Sequence, residues 1–366
     1  MGRELIRVLH VFHEMSNGGI EHFVMDYYRH IDRTRIQFDF LVSVNEDGYF
    51  DDEIKNLGGK IYHAYPFKKN PIKNFFDIAR IVKKNEYQIV HRHTGSAFGY
   101  FDLKAASYGG AQKVIMHSHN NQAGNVFVHT LCNLFLKVPC EKLACSQEAG
   151  EWLFGRNGRF NIINNAIDTQ KFVFNSAERQ EFREIYGVSD QFVIGHVGRL
   201  EEQKNHMFLL KIFTSVLDRK KDCVLVLIGD GSLMEEIKNE ARITNILDKI
   251  IFLGSQKEAA KFYNMFDVFV LPSKYEGFGI TLLEAQTNGL HCFTSANVVP
   301  ASVNVTGSIR YISLENDSEV WAEEIIKVNE RNDIEISSIQ NAGFDIEENA
   351  KNLCSYYEKL ISTRRC

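Results

Sequence analysis

Short apolar or β-branched runs alternate with amphipathic stretches along most of the chain. The runs Arg7–Phe12, Phe38–Ser43, Lys60–His63, Gln88–Arg92, Lys113–His117, Lys142–Cys145 and Ile162–Ile163 read as strands. Between them, Ile20–Ile31 and Ile72–Lys84 place apolar residues at helical spacing. A second series then starts afresh with Phe192–Val197, Val224–Ile228, Ile250–Leu253, Val268–Leu271 and His291–Thr294. Its helical patterns are Met207–Asp218, Leu233–Arg242, Ala259–Met265 and Leu282–Asn288. Strands that alternate with helices predict parallel sheets, because each parallel return needs a long crossover that packs on the sheet.

The expected class is therefore α/β, with two Rossmann-like units of parallel sheet facing a cleft between them. The boundary is expected near Gly187–Asp190, after a polar helical stretch, which gives domains 1–188 and 189–345. Within residues 346–366, Ile346–Thr363 reads as one amphipathic helix. Periodicity alone does not say which domain it covers; packing back on the first is the expectation. No internal repeat or low-complexity segment interrupts the pattern.

A length of 366 residues fits two domains, and 44% apolar with 24% charged residues excludes a disordered chain. The net charge of −5 argues against general nucleic-acid binding. Charge is uneven: Met1–Asp168 holds 20 basic and 18 acidic residues, the remainder 22 and 29. That asymmetry suggests two jobs in two domains. Seven cysteines form no CxxC pair and fit a reducing, cytoplasmic setting. Ile6–Phe12 is too short for a signal peptide, and Val126–Leu136 is broken by His129, Thr130 and Asn133, so no membrane span is expected.

Several strand ends carry chemistry. Gly18-Gly19 at a strand-to-helix turn can bring amides to an anion, or can serve only the turn. Gly198-Arg199, with Lys204 five positions on, offers a planar fork and a point charge suited to a diphosphate. In Gly229-Asp230-Gly231 the acid reads as a cap for the following helix, and Gly254 ends the next strand where backbone groups can meet a base. The most specific stretch is Glu276-Gly277-Phe278-Gly279-Ile280-Thr281-Leu282-Leu283-Glu284. Here a carboxylate precedes a glycine turn and a second sits about one turn into a helix. Taken singly, each acid has a bland reading as a loop or helix-end residue; together they point to a ligand with phosphate and hydroxyl groups.

His117 and His119 end a strand and can meet a sugar hydroxyl or a reacting group. No second cluster with ligand spacing stands out, so no metal is expected; His10, His13, His63, His91 and His93 read as strand-end packing or polar lining. Pro66–Lys84 carries six basic residues and one acid among apolar positions. It reads as a helix packed on the sheet with solvated lysines, or as one lying on an anionic membrane surface.

The string from Gly198-Arg199 and Lys204 through Gly229-Asp230-Gly231 to the two glutamates resembles the GT-B glycosyltransferases of the large retaining, nucleotide-sugar-using group 1 or family 4 type. The likeness runs over nearly the whole chain, including Gly18-Gly19, the histidine strand end, Ala144-Cys145-Ser146 and Ile163-Asn164-Asn165-Ala166-Ile167-Asp168. Glu284-Ala285-Gln286 with Gly289-Leu290 and Trp321-Ala322 look most like bacterial enzymes of capsule and exopolysaccharide assembly. Two departures stand out: Gly279 occupies a position where many relatives carry proline, which predicts a looser turn, and Ala166 replaces a frequent glycine.

The resemblance implies an acceptor-binding first domain and a donor-binding second one. It implies that Arg199 and Lys204 neutralise the donor diphosphate, that Glu284 holds the ribose, and that Glu276 is catalytic, meeting the donor sugar and the reacting centre. The amides of Phe278, Gly279 and Ile280, the strand end at Gly254, and Gly18 and Gly19 would complete the donor site. His119, or His117, would be the catalytic histidine near the sugar. It further implies a hexosyl transfer from a nucleotide sugar, UDP-linked by preference, to a glycan or polyprenyl-diphosphate-linked acceptor, reached at the inner membrane face. No cofactor is implied, and the absence of any Asp-x-Asp pair agrees with a metal-independent site. Retention would proceed by same-face displacement, with domain closure excluding water. A nucleotide-sugar epimerase and a non-catalytic nucleotide-sugar-binding subunit share the pattern.

Overall fold

The computed structural model describes residues 5–120 and 126–362. Cys366 and the last residues of the 346–366 segment lie outside them. The chain divides into two compact units, Met1–Ala166 with Ile346–Cys366, and Ile167–Asp345.

In the first unit the strands are β1 (Ile6–Val11), β2 (Ile36–Val42), β3 (Ile61–His63), β4 (Ile89–Thr94), β5 (Lys113–Ser118), β6 (Glu141–Ala144) and β7 (Asn161–Ile162). They form one sheet in the order β3-β2-β1-β4-β5-β6-β7, with every pair parallel. Because side chains alternate across a strand, Val8 and Leu9 enter different cores. One face is covered by the helices Gly19–His30 and Ile346–Ser362, the other by Pro71–Lys84, Gly99–Tyr108 and their neighbours.

The C-terminal helix belongs to this unit through a single stripe, Ile346, Ala350, Leu353, Tyr357 and Leu360, all buried against the sheet. A bidentate pair pins it at the surface, with Arg35 Nε and Nη2 donating to Glu358 at 2.8 and 2.7 Å.

The second unit contains β8 (Phe192–Val197), β9 (Cys223–Ile228), β10 (Ile250–Gly254), β11 (Val268–Leu271), β12 (His291–Ser295) and β13 (Ile309–Ile312). Their order is β10-β9-β8-β11-β12-β13, again all parallel. Gly195 in β8 is required by packing: a Cβ there would stand 2.1 Å from the Phe266 ring.

The boundary lies at Ala166, not at residue 188. The polar helix Ser176–Ile185 packs within the second unit, where Phe182 and Tyr186 meet Phe262. Asp267 holds it there by accepting from Arg179 at 2.5 Å and Arg183 at 3.2 Å. Ala166 is buried in the core of the first unit, where its methyl group is accommodated. Among the described residues no helix is long and apolar enough to cross a membrane.

Candidate active site

In a doubly wound sheet, ligands bind at the carboxyl ends of the strands where the strand order reverses. In the second unit that point lies between β8 and β11. The loops leaving these two strands carry Arg199, Lys204 and Glu276, and they are tied together. Lys204 Nζ lies 2.5 Å from Glu276 Oε1, and Ser273 Oγ donates to the same oxygen at 2.7 Å. The pair is nearly dry, with side-chain exposures of 14% and 6%. Two further links run alongside: Lys274 N donates to Gln203 O, and Gln203 Nε2 to Tyr275 O.

Arg199 differs from Lys204. It is exposed and has no ion pair or side-chain hydrogen bond with any described residue. The sequence presents the two cations as one diphosphate-binding pair; the fold leaves one charge open and ties the other to a carboxylate.

The neighbouring strand ends interlock through backbone. Gly198 N donates to Ile228 O, Leu200 N to Asp230 O, and Gly229 N to Gly254 O, each at 2.9 Å. This closeness needs Gly229: its φ is +138°, and a Cβ would stand 2.0 Å from Gly198 O. Asp230 does not cap the following helix. That helix, Met234–Ile243, has no side-chain cap, and Asp230 accepts from the adjacent Gly231 N at 2.8 Å. The N-cap position is Leu233, three residues past the acid.

Glu284 sits on the helix Ile280–Thr287, whose first amides lack intrahelical acceptors. The buried Tyr263 hydroxyl donates to Glu284 Oε2 at 2.6 Å. Burial, and then the carboxylate, hold the Tyr263 phenol well above its ordinary pKa, so it remains a donor. Phe278 is buried against Phe344 and leaves only its backbone for a ligand. Gly279 precedes the helix with φ +86° and ψ 53°. Proline cannot adopt that φ, so the expected loosening is instead a left-handed turn. Thr281 Oγ1, in the first helical turn, is buried without a hydrogen-bond partner.

In the first unit, Gly18 caps the helix Gly19–His30 with extended backbone, so neither glycine is there for a positive φ. Glu21 crowds Gly18: a Cβ at residue 18 would stand 2.4 Å from Glu21 Oε2.

The histidines depart furthest from expectation. His10 on β1, His91 and His93 on β4, His117 on β5 and His119 just past it all share one sheet face and are all buried. Two chains of rings result. His10 Nδ1 lies 2.9 Å from His93 Nε2, whose Nδ1 lies 2.9 Å from His119 Nε2. The Tyr357 hydroxyl lies 2.7 Å from His91 Nδ1, whose Nε2 lies 3.1 Å from His117 Nδ1. Of the two readings, packing or polar lining, His10, His91 and His93 take packing, as core residues, whereas His13 and His63 are exposed. His117 is fully enclosed and His119 is 7% exposed, so only His119 approaches a surface.

Desolvation lowers the pKa of every histidine in this network, His10 and His119 to about 3. The imidazoles are neutral. The sets His10/His91/His93 and His93/His117/His119 also bring ring nitrogens close enough for a metal ion, a cluster invisible in the linear sequence. Most of these nitrogens are already engaged with one another, and no carboxylate belongs to either set to offset a cation's charge.

Two family models match the chain: glycosyltransferase family 4 over residues 17–171 and glycosyl transferases group 1 over residues 178–343. A Bacillus subtilis protein named as the glycosyltransferase EpsF is 34% identical, covering 98% of this chain and 97% of its own. The Escherichia coli UDP-Gal:alpha-D-GlcNAc-diphosphoundecaprenol alpha-1,3-galactosyltransferase is 27% identical over 71% of this chain and 72% of its own. Among solved structures, Anabaena HepE with UDP and glucose superposes with a TM-score of 0.71 at 17% identity, covering 96% of this chain and 95% of that one. A Rickettsia africae glycosyltransferase gives 0.77 at 16% identity, with 98% and 100% covered. The chain therefore belongs to the GT-B-fold glycosyltransferases of the group 1 and family 4 type.

Proposed function

We propose that this glycosyltransferase moves a hexose from a UDP-sugar to a glycan carried on a polyprenyl diphosphate, in assembly of a bacterial surface polysaccharide. The observation that carries the donor assignment is the Lys204–Glu276 pair bridging the two loops at the β8/β11 reversal. The donor and acceptor classes draw support from the relatives: HepE binds UDP and glucose, and the E. coli enzyme is named for UDP-galactose and a diphosphoundecaprenol acceptor.

The residues divide the work. Arg199 supplies an uncompensated guanidinium to the diphosphate, and the amides of Phe278, Gly279 and Ile280 complete its cradle. Glu284, oriented by Tyr263, accepts the ribose hydroxyls, with Gly254 beside the base. Glu276 meets the sugar, and Lys204 holds its carboxylate in place.

As the bond from C1 to the β-phosphate oxygen breaks, negative charge grows on the leaving diphosphate. Fixed donors and cations stabilise that charge without a metal. The acceptor hydroxyl bonds to C1, and its proton passes to the departing phosphate oxygen on the same face, which retains configuration.

A thermal-shift screen against UDP-, GDP-, ADP- and dTDP-sugars tests the donor site. At about 100 times its Kd, a ligand stabilises by roughly 2.7 kcal/mol. UDP-sugars should raise the melting temperature of the wild type and not of Glu284→Ala. If no nucleotide sugar stabilises the wild type, the assignment fails. Donor consumption that needs a polyprenyl-linked glycan, and that Glu276→Gln abolishes, separates transfer from epimerisation and from mere binding.

A further inference from the structure

The chain of rings His10–His93–His119 has one end in the core of the first unit and one at its surface. At the inner end His10 Nε2 is buried without a hydrogen-bond partner, and the Phe38 ring centroid lies 4.0 Å from that of His10. At the outer end the His119 main-chain N donates to Thr94 O at 3.0 Å, which fixes the residue just past β5. His119 Nε2 is taken by His93, and its Nδ1 has no partner among the described residues. The neighbouring chain, from Tyr357 through His91, stops at His117 Nε2, which is buried and unpartnered. Only the first chain opens outward.

A neutral imidazole carries one N–H and one lone pair. His93 bonds through both nitrogens, so one of them donates and the other accepts. That leaves two registers for the whole chain. Either every proton sits on Nδ1 and each ring donates toward His119, or every proton sits on Nε2 and each ring donates toward His10. Both registers make the same two internal bonds, and they differ only at the ends. The second strands the His10 N–H in the core, whereas the first leaves only a lone pair there and turns the His119 N–H outward. Orphaned buried N–H groups are rarer in folded proteins than under-satisfied acceptors, which favours the first register. Charge does not blur the choice, because burial keeps the rings neutral and the only charges that act on them are one another's.

We propose that His10 and His93 are positioning residues that hold His119 with its proton on Nδ1, so that His119 meets a ligand oxygen only as a hydrogen-bond donor and never as a base. His10 and His93 are themselves enclosed and act through the chain alone. The tautomer is a property of the first unit; its use on a sugar rests on the transfer reading above.

Long-range proton–nitrogen spectra of the histidine-labelled full chain at neutral pH read the tautomers directly. In the wild type His10, His93 and His119 should each carry the proton on Nδ1. A proton on His119 Nε2, or a mixture of the two forms, overturns the proposal. His93→Phe should let His119 populate both forms and lower kcat for transfer about tenfold at unchanged UDP affinity. His93→Gln, whose amide accepts and donates at once, should restore both readouts. An unaltered His119 tautomer and kcat in His93→Phe removes the positioning role. His119→Asn, whose amide nitrogen can stand in for Nδ1–H, should keep transfer within about tenfold of the wild type, while His119→Leu loses about a hundredfold. Equal losses in those two variants overturn the donor role. A wild type that ignores UDP-sugars refutes the donor-site reading, and the nitrogen spectrum still decides the tautomer.

Discussion

Acidification should unfold the first unit well before the second. His10, His91, His93, His117 and His119 are all buried, and desolvation depresses every one of their pKa values. A depressed folded-state pKa means that the native unit binds no proton on these rings, while the unfolded chain takes one up on each below about pH 6.5. The stability they contribute is complete above that pH and is lost as pH falls from 6.5 toward the folded value, about 3 for His10 and His119. One pH unit into that window, each ring costs about 1.4 kcal/mol. Five rings together cost about 7 kcal/mol at pH 5.5, comparable with the roughly 5–15 kcal/mol that holds a whole domain. In the second unit only His196 and His206 are comparably buried and depressed, His206 to about 4, which gives about 3 kcal/mol at the same pH.

The chain's two tryptophans allow the units to be followed separately. Trp152 lies in the first and Trp321, fully buried, in the second. Urea unfolding of Trp321→Phe reports the first unit, and that of Trp152→Phe the second. Between pH 7.5 and 5.5 the first unit's unfolding free energy should drop at least twice as far. An equal drop, or one no steeper than a single proton, would refute the neutral network and mean that the rings share protons in the native state.

Three further outcomes follow from the second unit. Tyr263→Phe removes the 2.6 Å donor to Glu284, a bond worth about 1.5–3 kcal/mol to a charged acceptor. Calorimetry should show UDP affinity reduced about tenfold. Lys204→Met strands the buried Glu276 carboxylate and should cost about 3–5 kcal/mol of stability. The double variant with Glu276→Gln should recover most of that in a urea melt while transfer stays absent. Gly229→Ala, which faces Gly198 O at 2.0 Å, should lower the melting temperature far more than Gly254→Ala. The latter residue has a positive φ of 64° but open space, for a cost of about 1–2 kcal/mol.

Twelve of the thirteen strands among the described residues are legible in the sequence, most of them because parallel strands buried on both faces are continuous apolar runs. The missing one, Ile309–Ile312, lies at the sheet edge, and the exposed Arg310 interrupts its apolar run. Glu276, Glu284 and Lys204 were legible because their spacing is local to single strand–turn–helix segments. Tyr263 and Ser273 were not. Tyr263 reads as one more apolar position of the short helical pattern Ala259–Met265, and only the fold brings its hydroxyl to Glu284. The histidine network hides for a related reason: its members come from three strands made neighbours by the order β1-β4-β5. The available signal was histidine on alternate positions at two strand ends, His91/His93 and His117/His119, which places each pair on one face.

Charge at the β8/β11 reversal explains why two cations five residues apart have unlike duties. Lys204 sits in the short 3₁₀ turn Glu202–Lys204, followed by Asn205 in a left-handed conformation at φ 57°. That turn folds the lysine back onto Glu276, whereas Arg199 leaves the strand end directly and stays in solvent. A buried carboxylate without a cation is costly, so Lys204 is committed to the architecture of the loop before any ligand arrives. In the donor site proposed above, a diphosphate would meet the exposed Arg199 and the backbone amides at the start of Ile280–Thr287. Arginine suits that role because its charge is permanent and its planar fork can grip two phosphate oxygens without first breaking an internal pair. The lysine's ammonium holds the Glu276 carboxylate in place. On the proposed function, binding and orientation would fall to different cations, although in sequence they look like one motif.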